Sequence, residues 1–325
     1  MKPFRFLLLF MALCAFVVSG HSQGTTTKKS TGQQKVVKIN PAQQEPADPN
    51  KKAFNKFSKE KMFNAAVPPK AMKPEEVKAL GFYNEGAKKG KIGDYQGAIA
   101  EFTKSLDLVK NASVYSQRGF CYLMLKNYGA SISDENEALR LQESYITAYF
   151  VRGTARFESA DYIGAKKDLA IYLDEDRTNA IAFNQMAAID FMNQDFKGAL
   201  ENYNEVYRLN PKYADINTNR GMMRHYNQDF AGAIQDYNEA LKINPNNKAA
   251  YNNRGAAKMM LKDLKGAVSD FDNAINLDDK YADAYDNRGR AKQALGNTEG
   301  ACADWQLAYS NGLEATKDLI LKFCK

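Results

Sequence analysis

An all-α solenoid of antiparallel helix hairpins is the fold this sequence predicts, and three observations predict it. Small residues recur on a 34-residue grid at Gly119, Gly153, Ala187, Gly221, Gly255 and Gly289, with Gly86 standing 33 residues before the first. A second set of small residues recurs twelve places after each of these, from Ala98 to Ala301. Between the two sets every period carries an Asp or Asn. A fixed period of this length marks stacked supersecondary units, because one hairpin cannot bury its own apolar face and must lean on its neighbours.

Counting the first small residue as position 8 sets seven repeats at 79–111, 112–145, 146–179, 180–213, 214–247, 248–281 and 282–315. Position 16 reads Asp94, Asn127, Asp161, Asp195, Asp229, Asp263 and Asn297, side chains whose oxygen can accept from the free amides that open a second helix. Position 17 follows with Tyr95, Tyr128, Tyr162, Phe196, Phe230, Leu264 and Thr298. Position 20 is Ala98, Ser131, Ala165, Ala199, Ala233, Ala267 and Ala301, and position 24 is mostly large: Phe102, Leu169, Tyr203, Tyr237, Phe271 and Trp305. Small residues let helices approach and large ones fill what lies between. Pro211 and Pro245 stop their repeats where the second helix must end.

Small residues at 8 and 20, rings at 17 and 24, Ala138, Ala240, Ala274 and Ala308 at 27, and Pro at 32 together resemble the tetratricopeptide repeat. The resemblance runs over 79–315 and implies a right-handed superhelical solenoid that serves as a protein–protein interaction scaffold. It speaks for fold and says little of a particular task. Two departures stand out, Glu135 at position 24 and Tyr172 at position 27, and looser packing is expected at both. After Gly312 the order Leu319, Ile320, Leu321 and Phe323 among charges reads as an amphipathic helix over 316–325 that caps the last hairpin.

Ahead of the repeats, taken as starting at 75, lie two other segments. Residues 1–23 order a charged start (Lys2, Arg5), an apolar run from Phe6 to Val18 and small residues (Ser19, Gly20), the layout of a secretory signal peptide. The chain is therefore expected to be exported: periplasmic, bound to the cell envelope, or secreted. Lipid attachment at Cys14 is the less favoured reading, since Leu13 precedes it and apolar residues continue past it. Residues 24–74, rich in Thr, Lys, Gln, Asn and Pro, read as a disordered basic tether. The net charge of +7 belongs to these leading segments: residues 24–78 hold twelve Lys against five acids, while 79–325 hold 31 basic and 33 acidic residues. The repeats thus lack the clustered cations that nucleic-acid binding requires.

Catalytic chemistry finds little to work with. The chain has two histidines, His21 and His225, and no phosphate-cradling loop, HExxH or paired CxxC. No enzyme activity, cofactor or metal is expected. His225, at position 12, reads as a packing residue.

A charge pattern is more telling. Arg118, Arg152, Arg220, Arg254 and Arg288 stand at position 7, and the same repeats carry Asp134, Asp168, Asp236, Asp270 and Asp304 at position 23. Repeat four loses both, with Met186 and Asn202, and repeat one has Glu85 and Glu101. Co-occurrence of this kind predicts ion pairs tying the two helices of each hairpin, since a carboxylate buried without its cation is costly.

Position 6 carries amides that packing does not require: Asn84, Gln117, Gln185, Asn219, Asn253 and Asn287, with Val151 the exception. The resemblance places position 6 on the inner concave surface and so implies an amide ladder along a groove. An amide donates and accepts, and can hold the main chain of an extended peptide. Positions 9 and 13 add Phe120, Met124, Met192, Met222, Tyr226 and Met260 on the same side, and methionine adapts to varied apolar partners. Partners are therefore expected to be proteins or peptides. The family's basic carboxylate clamp at positions 2, 5 and 6 is absent here. A structural subunit of an envelope or secretion complex, using its convex face and tether, is the alternative role. Cys302 and Cys324 are expected to pair, stapling the cap to the last repeat, and Cys121 to be a buried thiol.

Overall fold

The computed structural model describes residues 62–63, 72–213 and 215–324. Residues 1–23 and nearly all of 24–74, read above as signal and tether, lie outside the described residues. The described residues fall into two compact units, one ending at Leu277 and one beginning at Asp278. All regular structure in both is helical.

The larger unit runs α1 (Pro74–Ile92), α2 (Tyr95–Leu108), α3 (Ala112–Met124), α4 (Tyr128–Leu141), α5 (Ile146–Glu158), α6 (Tyr162–Glu175), α7 (Ala180–Met192), α8 (Phe196–Leu209), α9 (Ile216–Tyr226), α10 (Phe230–Ile243), α11 (Lys248–Met260) and α12 (Leu264–Leu277). Odd and even helices pair as hairpins, and first helices also touch along the larger unit, as α5 touches α7 and α9 touches α11. The smaller unit holds α13 (Ala282–Ala294), α14 (Thr298–Ser310), a 3-10 turn (Glu314–Thr316) and α15 (Lys317–Phe323).

The hairpin turn has one recipe. The residue before the cap takes a left-handed conformation in every hairpin: Gly93, Lys126, Ala160, Gln194, Gln228, Lys262 and Gly296, with φ between 60° and 87°. The position-16 side chain then accepts from the amide three residues on, as Asp94 does from Gly97 and Asp263 from Gly266, both at 2.9 Å. That bond satisfies a donor the helix start would otherwise leave open.

Position 8 is small because position 24 lies on it. A Cβ at Gly86 or Gly255 would come within 2.7 Å of the ring of Phe102 or Phe271, and one at Gly289 within 2.7 Å of Trp305. These rings are fully or almost fully buried. At the first departure, Glu135 takes the ring's place beside Gly119 and is wholly buried. At the second, the expectation of loose packing fails. Tyr172 is 3% exposed, packs its ring 5.0 Å from Phe150, and hydrogen-bonds Asp176 and Asn179 through its hydroxyl.

In the smaller unit α15 covers Trp305 with Phe323, ring centroids 5.7 Å apart, and a Cys302–Cys324 disulfide joins α14 to the residue after α15. Cys121 is a buried free thiol, its pKa driven up by loss of solvent.

Candidate functional site

The charged residues of positions 7 and 23 form the frame on which any binding face is carried. Arg118, Arg152, Arg220, Arg254 and Arg288 each grip the aspartate of their own hairpin through Nε and Nη2, as Arg152 does Asp168 at 2.9 and 2.7 Å. The aspartates are almost wholly buried. The parallel geometry is the strong form of this contact, and the bonds to Asp134 hold the Arg118 guanidinium above its ordinary pKa. The remaining nitrogen reaches back one hairpin: Arg118 to Thr103, Arg152 to Asn136, Arg254 to Asn238. These three pairs therefore also tie their own hairpins to the one before.

Position 11 completes the frame and was not legible in advance. Arg156, Arg224, Lys258 and Lys292 place a second cation 2.7 to 2.9 Å from the same aspartates, and Lys89 serves Glu101 likewise at 2.8 Å. The fourth hairpin inverts the arrangement. Its position-11 residue is Asp190, buried, which accepts from Asn202 at 2.8 Å and from Lys166 of the preceding hairpin at 2.5 Å. The loss of Arg and Asp from repeat four is thus a polarity reversal that keeps one carboxylate satisfied.

Along positions 6, 9 and 13 the structure separates the candidates. Gln117 is 2% exposed and donates to the Tyr83 hydroxyl at 2.6 Å; Gln185 is 6% exposed and accepts from Thr154 at 3.2 Å; Phe120 is fully buried against Tyr95. These three face the core of the array, where Tyr83 accepts from the Gln117 amide nitrogen and Thr154 donates to the Gln185 amide oxygen. They correct the expectation of an open ladder over repeats two to four. Asn84 on α1 and Asn287 on α13 are half-buried, the latter in the smaller unit. Asn219, Met222 and Tyr226 on α9 and Asn253 on α11 are also half-buried, on consecutive, touching first helices of the larger unit, and Met260 on α11 is 55% exposed. Tyr226 stacks on Phe196 with centroids 4.3 Å apart, so its ring is fixed before anything binds. His225 beside it packs edge-on to Phe230, and burial pulls its pKa down to about 4, leaving it neutral near pH 7. The stripe at Asn219, Met222, Tyr226 and Asn253 combines one fixed ring, an adaptable thioether and two amides, the chemistry that holds a peptide main chain and one or two apolar side chains.

Two buried features stand outside the periodic pattern. Glu135, the departure at position 24, lies wholly buried beside Ser116, and Ser131 and Gln117 keep buried oxygens without partners. Burial pushes the Glu135 pKa well up, which favours its neutral form in the fold. Phe63, from the stretch read as tether, is fully buried between Phe102 and Phe120. The tether reading therefore does not extend to this residue, whose ring packs on the repeats.

The sequence profile of the TPR repeat matches residues 221–262. RNA polymerase II-associated protein 3 of Homo sapiens is 34% identical over 143 residues, which make up 44% of this chain and 20% of that protein. The chain spans about a fifth of the length of the curated relatives it matches first. Among solved structures it resembles YrrB, a TPR protein with an unusual peptide-binding site, with a TM-score of 0.54 at 20% identity over 56% of this chain and 95% of that one. It also resembles the C-terminal part of a TPR repeat-containing protein from Cytophaga hutchinsonii, with a TM-score of 0.54 at 18% identity over 70% and 94% of the two chains.

Proposed function

Because this chain is a tetratricopeptide-repeat protein, an all-α scaffold suited to protein–protein interaction, we propose that it is a non-enzymatic adaptor that holds an extended segment of a partner along α9 and α11. The observation that carries this reading is the half-buried stripe of Asn219, Met222, Tyr226 and Asn253 on two touching helices. Amides there pair with a peptide main chain while Met222 and the ring edge of Tyr226 take an apolar side chain. The likeness to YrrB, itself a peptide-binding TPR protein, agrees with this reading.

Photo-crosslinking tests it. A benzophenone amino acid at Met222 should capture a partner in native extract, whereas the same group at exposed Lys242 on α10 should not. Asn219→Ala with Asn253→Ala should then abolish capture at Met222. Equal labelling from both positions would end the stripe reading.

The setting proposed is outside the cytoplasm, in the envelope or secretory space. Its support is the order of charged, apolar and small residues over 1–23 and the Cys302–Cys324 disulfide, a bond that persists in oxidising compartments. Sequencing the N-terminus of the protein purified from its native cells decides it, since an intact Met1 overturns export by cleavage.

A further inference from the structure

In repeats three to five the side chain at position 12 lies against the ring at position 17 of its own hairpin: Phe157 on Tyr162 at 5.8 Å, Phe191 on Phe196 at 6.0 Å, His225 on Phe230 at 5.1 Å. In the first hairpin position 12 is Gly90, and the side chain is missing. The volume is nonetheless filled. A Cβ placed on Gly90 would stand 2.5 to 2.8 Å from the Cε1, Cζ and Cδ1 atoms of Phe63, a residue that belongs to no repeat. The Phe63 ring lies 5.6 Å edge-on from Phe120, which in turn packs at 6.4 Å on Tyr95, the position-17 ring of this hairpin. It also lies parallel to Phe102 at 6.5 Å and is wholly buried, with Met62 beside it 6% exposed.

A glycine inside α1 weakens the helix. Here it also opens a hole shaped for a ring that comes from elsewhere. A side chain grown from position 90 would close that hole permanently.

We propose that the cleft over Gly90, walled by Phe102 and Phe120, is a phenylalanine-recognition site that Phe63 fills in cis, and that a partner segment anchored by a phenylalanine occupies it when Phe63 withdraws. The site is distinct from the α9 and α11 stripe and does not depend on it. Rings seated in such a pocket contribute both buried area and edge-to-face contact, the usual basis of an aromatic anchor. A tethered occupant acts at an effective concentration on the order of millimolar. An incoming phenylalanine must therefore outcompete Phe63.

The test uses the full chain carrying Phe63→Ala and, as probe, a synthetic peptide of residues 58–68. By fluorescence anisotropy the variant should bind this peptide at least about tenfold more tightly than the wild type does, and should ignore the same peptide carrying Phe63→Ala. Peptide in excess should also raise the variant's melting temperature. The double variant Phe63→Ala with Gly90→Leu should lose peptide binding while regaining the melting temperature, since leucine fills the hole. Three results would overturn the proposal: a folded Phe63→Ala chain that does not bind the peptide, equal binding by wild type and variant, or a variant that stays unfolded even with peptide in excess.

Discussion

Arg152 reaches Asp168 with two parallel hydrogen bonds, and its third nitrogen donates to Asn136 of the preceding hairpin at 2.7 Å. One side chain therefore joins two helices within a hairpin and two hairpins to each other. Replacing Arg152 by Met should cost about 2–3 kcal/mol, because Asp168 stays buried with Arg156 as its sole cation. Adding Asp168→Leu should recover most of the loss. Urea unfolding of the single and double variants measures both, and an unchanged midpoint for Arg152→Met would show the pair to be idle.

Glu135 should give the array a pH dependence of defined sign. The unfolded chain gives up this proton near the ordinary value of 4.5, while burial makes the fold keep it to much higher pH. The fold therefore binds more protons in that window, and its stability falls as pH rises, by up to about 1.4 kcal/mol per pH unit from this group. His225 acts in the opposite sense: the unfolded chain protonates it below 6.5, the fold only near 4, so that contribution is lost as pH falls. Glu135→Leu removes the first effect alone. Its stability advantage over wild type should grow as pH rises above about 4.5 until the fold too gives up the proton, and an advantage that stays constant as pH rises from 4 would contradict a raised Glu135 pKa.

The inverted fourth hairpin makes a sharper prediction. Asn202 donates to Asp190, so Asn202→Asp places two carboxylates where one donor and one acceptor stood. A loss of about 1–2 kcal/mol at neutral pH is expected, relieved by acidification. Asp190→Lys made together with Asn202→Asp rebuilds the position-11 to position-23 pair of the sixth and seventh hairpins, with Met186 still at position 7, and should restore most of the melting temperature. Failure of that rescue would mean that local packing, and not polarity, sets the pairing.

At the hairpin turns, Ala160 holds a φ of 66°, where a side chain is strained. Ala160→Gly should stabilise by about 0.5–1 kcal/mol after allowing for the extra freedom of the unfolded chain. Ala170→Gly in the middle of α6 should do the reverse by about 1 kcal/mol. Differential scanning calorimetry separates the two signs.

The frame was legible where one residue type answers one geometric need. A glycine at position 8 announces the ring above it, an aspartate at 16 the amides it caps, and the shared presence of arginine at 7 with aspartate at 23 announces a pair. The second cation at position 11 stayed hidden because Lys89, Tyr122, Arg156 and Asp190 share no residue type; only the fold sets Lys89 and Arg156 on the acids of their hairpins and makes Asp190 the acid of its own. The amide ladder misled for a related reason. Periodicity fixes which face of a helix a residue occupies but not how deeply the neighbouring hairpin covers it, so Gln117 and Gln185 share a register with Asn219 and differ from it in burial. Phe63 follows no period and could not be seen by one.

The ring over Gly90 means that the unit which melts is longer than the unit which repeats. A fragment trimmed to the first turn of α1 would retain every element of the periodic pattern and still carry a void in its first hairpin, bordered by Phe102 and Phe120. Loss of order at that end would then travel inward through the contact between α1 and α3, one hairpin at a time. Boundaries chosen by sequence period alone would make a sound array behave as a fraying one.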